Sequence, residues 1–353
     1  MCMSSSADRR PPDFFLIGAP KAGTTALHAA LSQHPGINMS RVKEPKYYMC
    51  GDSPPPAYKG PGDAHSNQEW VWQRERYLDL FDDAPSDRLR GESTPFYLYN
   101  RDARRRIAAD VPQARVIAVL RDPVDRAYSN WMHLWMDGLE PCADVLEAVR
   151  REPTRIDRGW APFWHYQSLG MYGRQVADLY DHLPREQVLL VRYRELVDEP
   201  SLTLDRVFGF LGVGRAEIDT IPSDNSRRFV QDGPRVRAIA PVIRAGAALG
   251  QFLPPEVWRR ISRPLVAQLH RNGTTSRPRL TPEQRATLLE PHLPDIELLE
   301  RVTGESFADW KGYRDGGSFE TRRSGDGAAV PRPRSAPGEA ELTDGVERPA
   351  LRG

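Results

Sequence analysis

At 353 residues, 39 % of them hydrophobic, the chain is long enough for one large α/β domain or two small ones. Its 49 basic and 48 acidic side chains leave a net charge of +1, which excludes a global field that recruits nucleic acid or an anionic membrane, so any anion site must be local. The three cysteines, Cys2, Cys50 and Cys142, are odd in number and suit neither a zinc site nor a disulfide framework, which fits a reducing compartment.

Residues 1–12 read as a disordered lead-in without the apolar stretch of a signal peptide. Strand–helix alternation starts at Asp13. FFLIG (14–18) reads as a buried strand, followed by a glycine-bearing turn and by Thr24 and Thr25 opening a helix. Residues 51–64, GDSPPPAYKGPGDA, are rich in proline and glycine and read as an irregular surface excursion, a possible lid. LRGEST (89–94) reads as a short strand. RVIAVL (115–120) and QVLLVRY (187–193) are near-continuous apolar runs, the pattern of strands buried on both faces of a parallel sheet. Helical stretches cover 103–109, 124–136, 171–182 and 201–211. The alternation predicts an α/β fold, a parallel β-sheet flanked by helices on both faces, with ligands at the carboxyl ends of its strands. Residues 222–280 resist assignment apart from a helical stretch over 235–250. Residues 281–304 read as paired helices, with Thr281 as N-cap, Pro282 at the first helical position and Gly304 as the stop. From residue 316 onward a disordered tail is expected, which leaves 13–315 as a single domain. No apolar run reaches the ~18 residues of a membrane span, and a soluble, cytoplasmic protein is expected.

The turn after the first strand carries the chemistry. GAPKAGTT (18–25) keeps the glycine spacing of the nucleotide-binding pattern G-x-x-x-x-G-K-[ST] at Gly18 and Gly23. Thr24 stands where the pattern has its lysine, and Lys21 lies within the loop instead. Orphan N–H groups and the helix dipole make such a turn an anion site. Gly23 lets the backbone approach the anion, Thr24 and Thr25 add hydroxyl donors, and Lys21 adds a point charge. In ATP and GTP enzymes the displaced lysine reaches the β/γ-phosphates. Its absence, together with a strand RVIAVL that runs into Arg121, points away from a triphosphate with Mg²⁺ and toward a shorter anion. The sequence offers no metal-ligand cluster.

PKAGTT (20–25) resembles the 5′-phosphosulfate loop of sulfotransferases that use 3′-phosphoadenosine 5′-phosphosulfate (PAPS). VIAVLRDPVDRAYSNWMH (116–133) resembles their 3′-phosphate segment, where an arginine at the strand end and a serine eight residues later grip that phosphate; here these are Arg121 and Ser129. KEPKYY (43–48) and GESTPFYLY (91–99) are similar to two further segments of the bacterial and carbohydrate members. LLVRYRELVDEP (189–200) resembles their strand exit, where a tyrosine borders the adenine, and RNGTTSR (271–277) loosely matches their last 3′-phosphate loop. The similarity spans residues 13–310. It departs from the cytosolic steroid and phenol enzymes at Ala26, where they have tryptophan, and in lacking a motif for their histidine base.

The resemblance implies a P-loop-like sulfotransferase fold and PAPS as co-substrate, without a metal. Lys21, Ala22, Gly23, Thr24, Thr25, Arg121, Ser129, Tyr193, Arg271, Asn272 and Gly273 would bind the nucleotide. Lys21 would stabilise the leaving 5′-phosphate and Glu44 would be the general base, with Lys43, Lys46 and Glu92 on the acceptor side. The acceptor is expected to be a hydroxyl of a small molecule, glycolipid or natural product, and no nucleic acid is expected. A small-molecule kinase using ATP–Mg²⁺ and a non-catalytic nucleotide-binding protein are the alternatives. Bland readings stand beside these. Arg121 could pair with Asp122 or Asp125, Glu44 could be a solvated loop charge, and His28 and His133 could serve packing. Trp131 and Trp135 share a helix face and could be core or pocket wall.

Overall fold

The computed structural model describes residues 9–63, 70–218, 229–250, 255–270 and 278–312. Five strands, β1 (Phe14–Gly18), β2 (Ile37–Met39), β3 (Leu89–Ser93), β4 (Arg115–Leu120) and β5 (Val188–Arg192), form one sheet in the order β2-β3-β1-β4-β5. Every pairing is parallel. β1 is buried along its whole length and β4 from Val116 onward, because helices cover the sheet. The chain leaves β1 toward one edge and returns to build β4 on the other side. The gap between the carboxyl ends of β1 and β4 is therefore the switch point of the sheet, where open α/β folds bind ligands.

The β1–β4 register shifts between Leu16 and Gly18, so the end of β1 bends as it enters the turn. Ala19 still donates to Val119 O (2.8 Å), which ties the turn to β4. Gly18 has no room for a side chain: a Cβ there would stand 2.5 Å from Leu98 Cβ. Helix α1 (Thr24–Leu31) follows the turn. β2 was not expected from the sequence; at three residues on the sheet edge it is too short to leave a periodic pattern. Short helices α2 (Tyr47–Cys50) and α3 (Arg74–Leu78) follow it, and α4 (Arg101–Asp110) joins β3 to β4.

After β4 comes α5 (Pro123–Met136), then α6 (Val145–Arg150), α7 (Glu152–Asp157) and α8 (Tyr172–Tyr180). α5 begins one residue ahead of the expected stretch 124–136, with Asp122 accepting from the N–H groups of Val124 and Asp125 (both 2.9 Å) and Pro123 in the first turn. Trp131 and Trp135 stack on its buried face with centroids 6.1 Å apart. Their indole N–H groups donate to Cys142 O (3.0 Å) and Val230 O (2.8 Å), so both belong to the core.

β5 stops at Arg192 and Tyr193 already opens α9 (Tyr193–Asp198), because Glu195 caps back onto the Arg192 N–H (3.2 Å). α10 (Pro200–Leu211) completes this region. The stretch that resisted assignment holds two helices, α11 (Pro234–Gly250) and α12 (Pro255–His270), packed on each other. α13 (Pro282–Leu289) starts with a Thr281–Gln284 capping box and α14 (Leu293–Thr303) ends on Gly304 with φ 75°, both as the sequence indicated. Within 51–63 the excursion is pinned: the Lys59 backbone N–H donates to Gly159 O (2.8 Å) and Asp63 pairs with Lys46 (2.9 Å). The expected tail from 316, residues 1–8 of the lead-in and residue 64 lie outside the described residues.

Candidate active site

The turn between β1 and α1 is shaped for an anion. Gly23 caps α1 at φ 90°, and Ala26 and Leu27 give the first helical bonds to its carbonyl. The N–H groups of Gly23, Thr24 and Thr25 thus have no partner within the helix, as at any helix start. Ala22 is fully buried, Thr24 is buried and Thr25 is exposed. Lys21 sits at φ 66°, a conformation that costs a non-glycine residue about 1–2 kcal/mol and is kept where the surroundings dictate it.

Arg121 follows β4 across the switch point. It pairs with neither Asp122 nor Asp125. Its Nη1 donates to Lys21 O (3.1 Å), and its guanidinium carbon lies 4.6 Å from the centroid of the Tyr193 ring. Its Nε is buried without a hydrogen-bond partner. The two aspartates are held from elsewhere: Arg285 of α13 reaches Asp122 at 2.9 Å and Asp125 at 2.5 Å. Burial and the Asp125 charge push Asp122 above the usual carboxylate range, and Arg285 opposes them. The Arg285 clamp therefore leaves Arg121 for the site. No sequence signal connects Arg285 to residues 160 positions away. Tyr193 closes this corner; a Cβ on Gly23 would stand 3.0 Å from its ring. Ser129 lies part-buried two turns into α5. Arg271, Asn272 and Gly273 lie outside the described residues.

The second half of the site is the loop from β2 into α2. Glu44 donates its N–H to Ser93 O (2.8 Å), which fixes it at the carboxyl end of β3, beside β1. Glu44 and Lys46 both take left-handed backbone, φ 62° each, although neither is glycine. Lys43 Nζ pairs with Glu44 Oε1 (2.5 Å), and both side chains remain part-exposed. Lys46 does not face an open cleft. It is 1 % exposed, paired with Asp63 and placed 4.6 Å over the Trp70 ring.

Glu92 is enclosed as well, with 0 % exposure. Its carboxylate accepts from Thr94 Oγ1 (2.6 Å), Tyr77 OH (2.7 Å) and Tyr97 OH (3.2 Å). Tyr97 OH in turn accepts from the Tyr48 N–H (3.2 Å) and Thr94 Oγ1 from the Lys46 N–H (3.4 Å). Glu92 thus sits behind the 43–48 loop and anchors the hydroxyls that hold it. Burial pushes Glu92 up to about 7 against the pull of those three hydroxyls.

His28 is a residue whose place the sequence did not reveal. It lies on α1 four positions after Thr24, and that spacing was the available signal. Its Nδ1 meets Ser93 Oγ at 2.9 Å, so Ser93 joins α1 through its side chain and Glu44 through its carbonyl. Burial, then the Lys43 charge, lower His28 to about 4, while Glu44 pulls the other way. The imidazole is neutral at pH 7. His133 instead packs edge-on against Phe163, as its packing reading had it.

The assembled arrangement is a cationic, donor-rich turn at the end of β1 and an arginine from β4, with a carboxylate and a lysine at the end of β3. Among the described residues no group of histidine, cysteine, aspartate and glutamate could hold a metal ion. Comparison with known proteins bears on the family of the chain. A solved sulfotransferase from Alicyclobacillus acidocaldarius superposes with a TM-score of 0.64 at 28 % identity, covering 85 % of this chain and 99 % of that one. Human heparan sulfate glucosamine 3-O-sulfotransferase 3B1 is 28 % identical over 217 residues, 61 % of this chain and 50 % of that protein. The human bifunctional heparan sulfate N-deacetylase/N-sulfotransferase 3 is 30 % identical over 217 residues, 58 % of this chain but 22 % of that protein. The chain thus spans half or less of the length of these two curated relatives. The family described as "Sulfotransferase family" matches residues 12–217, more than half of the sequence, and the chain belongs to that family.

Proposed function

We propose that the protein transfers a sulfuryl group from PAPS to an acceptor hydroxyl on a small molecule, glycolipid or natural product. The observation that carries this reading is Arg121. It is released from the neighbouring aspartates by Arg285, held beside Lys21, and left with a buried unpartnered Nε. That is what a 3′-phosphorylated nucleotide needs and what ATP does not. The residues present fit the nucleotide. The N–H groups of the turn and Lys21 would hold its 5′ end, Arg121 and Ser129 its 3′-phosphate, and Tyr193 its base side.

When bound, PAPS supplies an activated sulfuryl group on a phosphate leaving group. Lys21 and the turn N–H groups meet the charge that grows on that phosphate, the place where fixed donors lower a barrier most. Glu44 takes the proton of the acceptor hydroxyl. Lys43, in contact with Glu44 at 2.5 Å, holds that carboxylate in place. The neutral His28 and Ser93 hold the Glu44 loop against α1.

The test is ligand-induced stabilisation in the absence of metal. Adenosine 3′,5′-bisphosphate should raise the melting temperature more than AMP, ADP or ATP. At 100 times the dissociation constant the gain is about 2.7 kcal/mol. Equal stabilisation by AMP, or a requirement for Mg²⁺ with ATP, would overturn the reading.

A further inference from the structure

Large exposed apolar side chains are uncommon in the described structure, and four of them fall within twenty residues. Val242 and Leu249 on α11 are 57 % and 72 % exposed, and Val257 and Ile261 on α12 are 42 % and 55 % exposed. Val242 and Leu249 lie two helical turns apart, Val257 and Ile261 one turn apart, so each helix shows an apolar stripe to solvent. The opposite faces are already used: Val236, Ala240, Ile243 and Ala247 of α11 and Leu269 of α12 are buried. Leu269 and Ile243 pack where Gly138 leaves space for them. The stripes are therefore not core surface waiting for this chain.

The charge of the same element is equally uneven. Residues 234–270 contain six arginines and one glutamate, a net of +5 where the whole chain is +1, so the remainder carries −4. Arg260 and Arg263 of α12 are exposed. Arg237 is paired with Asp232 (2.9 Å) and Arg244 donates inward to Gly138 O (3.3 Å). Cationic helices with an exposed apolar stripe match the boundary of an anionic bilayer, where headgroups meet the arginines and acyl chains meet the stripe. Pairing of this face with itself in a second copy would set +5 against +5, which is repulsive. A nucleic acid would leave the apolar stripes facing water.

We infer that the α11–α12 pair docks this protein on an anionic lipid surface. None of the described helices is long and apolar enough to cross a membrane, so the contact is peripheral. The inference is independent of the sulfuryl-transfer reading, and its test uses no nucleotide. The full chain is floated with vesicles of phosphatidylcholine containing phosphatidylglycerol, and with phosphatidylcholine alone, at low and at high salt. Binding is expected to the anionic vesicles only and to be released by salt. Leu249→Asp with Ile261→Asp should abolish it. Arg260→Ala with Arg263→Ala should weaken it roughly 30-fold, about fivefold per arginine. Circular-dichroism melting verifies that each variant is folded, and the two pairs of substitutions fail independently. Equal binding to neutral vesicles, no binding by the wild type, or a dimer by light scattering that Leu249→Asp dissociates without any vesicle binding would each overturn the inference.

Discussion

Arg121 rests on the face of Tyr193, its guanidinium carbon 4.6 Å from the ring centroid, while its Nη1 holds the carbonyl of Lys21 at 3.1 Å. One side chain thus joins the ends of β4 and β5 to the turn after β1. The contact fixes the guanidinium plane, and the stacked ring shields it from water, which strengthens its hold on an anion.

Arg121→Ala should therefore remove the preference for a 3′-phosphate. Adenosine 3′,5′-bisphosphate should bind roughly 10- to 100-fold more weakly, a charged hydrogen bond being worth about 1.5–3 kcal/mol. AMP should bind almost as before. Isothermal titration with both ligands checks this, and a parallel loss for AMP would point to collapse of the turn instead.

Lys21→Ala should lower turnover far more than nucleotide affinity, because the charge it meets is largest in the transition state. The expected fall in kcat is on the order of 10²–10³. A variant with unchanged kcat and a raised KM would contradict the assignment.

Glu44 and Glu92 should separate in kinetics. Glu44→Gln keeps shape but cannot accept a proton, so kcat should fall by about 10²–10⁴ and the acidic limb of the pH profile should vanish. Glu92→Gln acts only through the loop it anchors, so it should lower activity while the limb stays. Loss of the limb in Glu92→Gln with full activity in Glu44→Gln would reverse the two roles.

Glu92 also predicts a pH-dependent stability. Its folded pKa is raised from 4.5 to about 7, so the folded state binds the proton more tightly than the unfolded chain. Stability should fall as pH rises from about 4.5 to about 7, by about 3 kcal/mol for this group alone. The buried histidines act the other way. His28 and His165, both lowered to about 4, weaken the fold as pH falls below about 6.5. The difference between wild type and Glu92→Gln in urea unfolding across this range isolates the carboxylate. A flat difference curve would show that Glu92 titrates normally.

Gly23→Ala should damage binding and fold together. The residue stands at φ 90°, and the new methyl would press on the Tyr193 ring at 3.0 Å. The strained backbone alone costs about 1–2 kcal/mol. Nucleotide affinity should drop more than tenfold, since the ring and Arg121 move together. A variant that melts and binds like wild type would dissociate Tyr193 from the site.

Residues near in sequence made much of this legible. The strand RVIAVL, the Thr281 cap and the relocated Lys21 are local patterns, set by burial on two faces and by orphan helix donors. They gave the parallel α/β fold, and the resemblance they carried gave the family. Burial and partner choice were not legible. Glu92 and Lys46 lie within short motifs and read as acceptor contacts, yet packing of Tyr77, Tyr97, Trp70 and Asp63 around them encloses both.

The sequence by itself determined which backbone turns can hold an anion, because loop glycines and helix caps act over a few residues. Only the tertiary structure decided which charges remain for that anion. Arg285 arrives from a helix 160 residues beyond Asp125 and pairs with both aspartates beside Arg121. His28 is kept neutral by burial and by the Lys43 charge, against the pull of Glu44. A charge is set by all groups within a few ångströms, and chain folding rather than sequence order selects those groups.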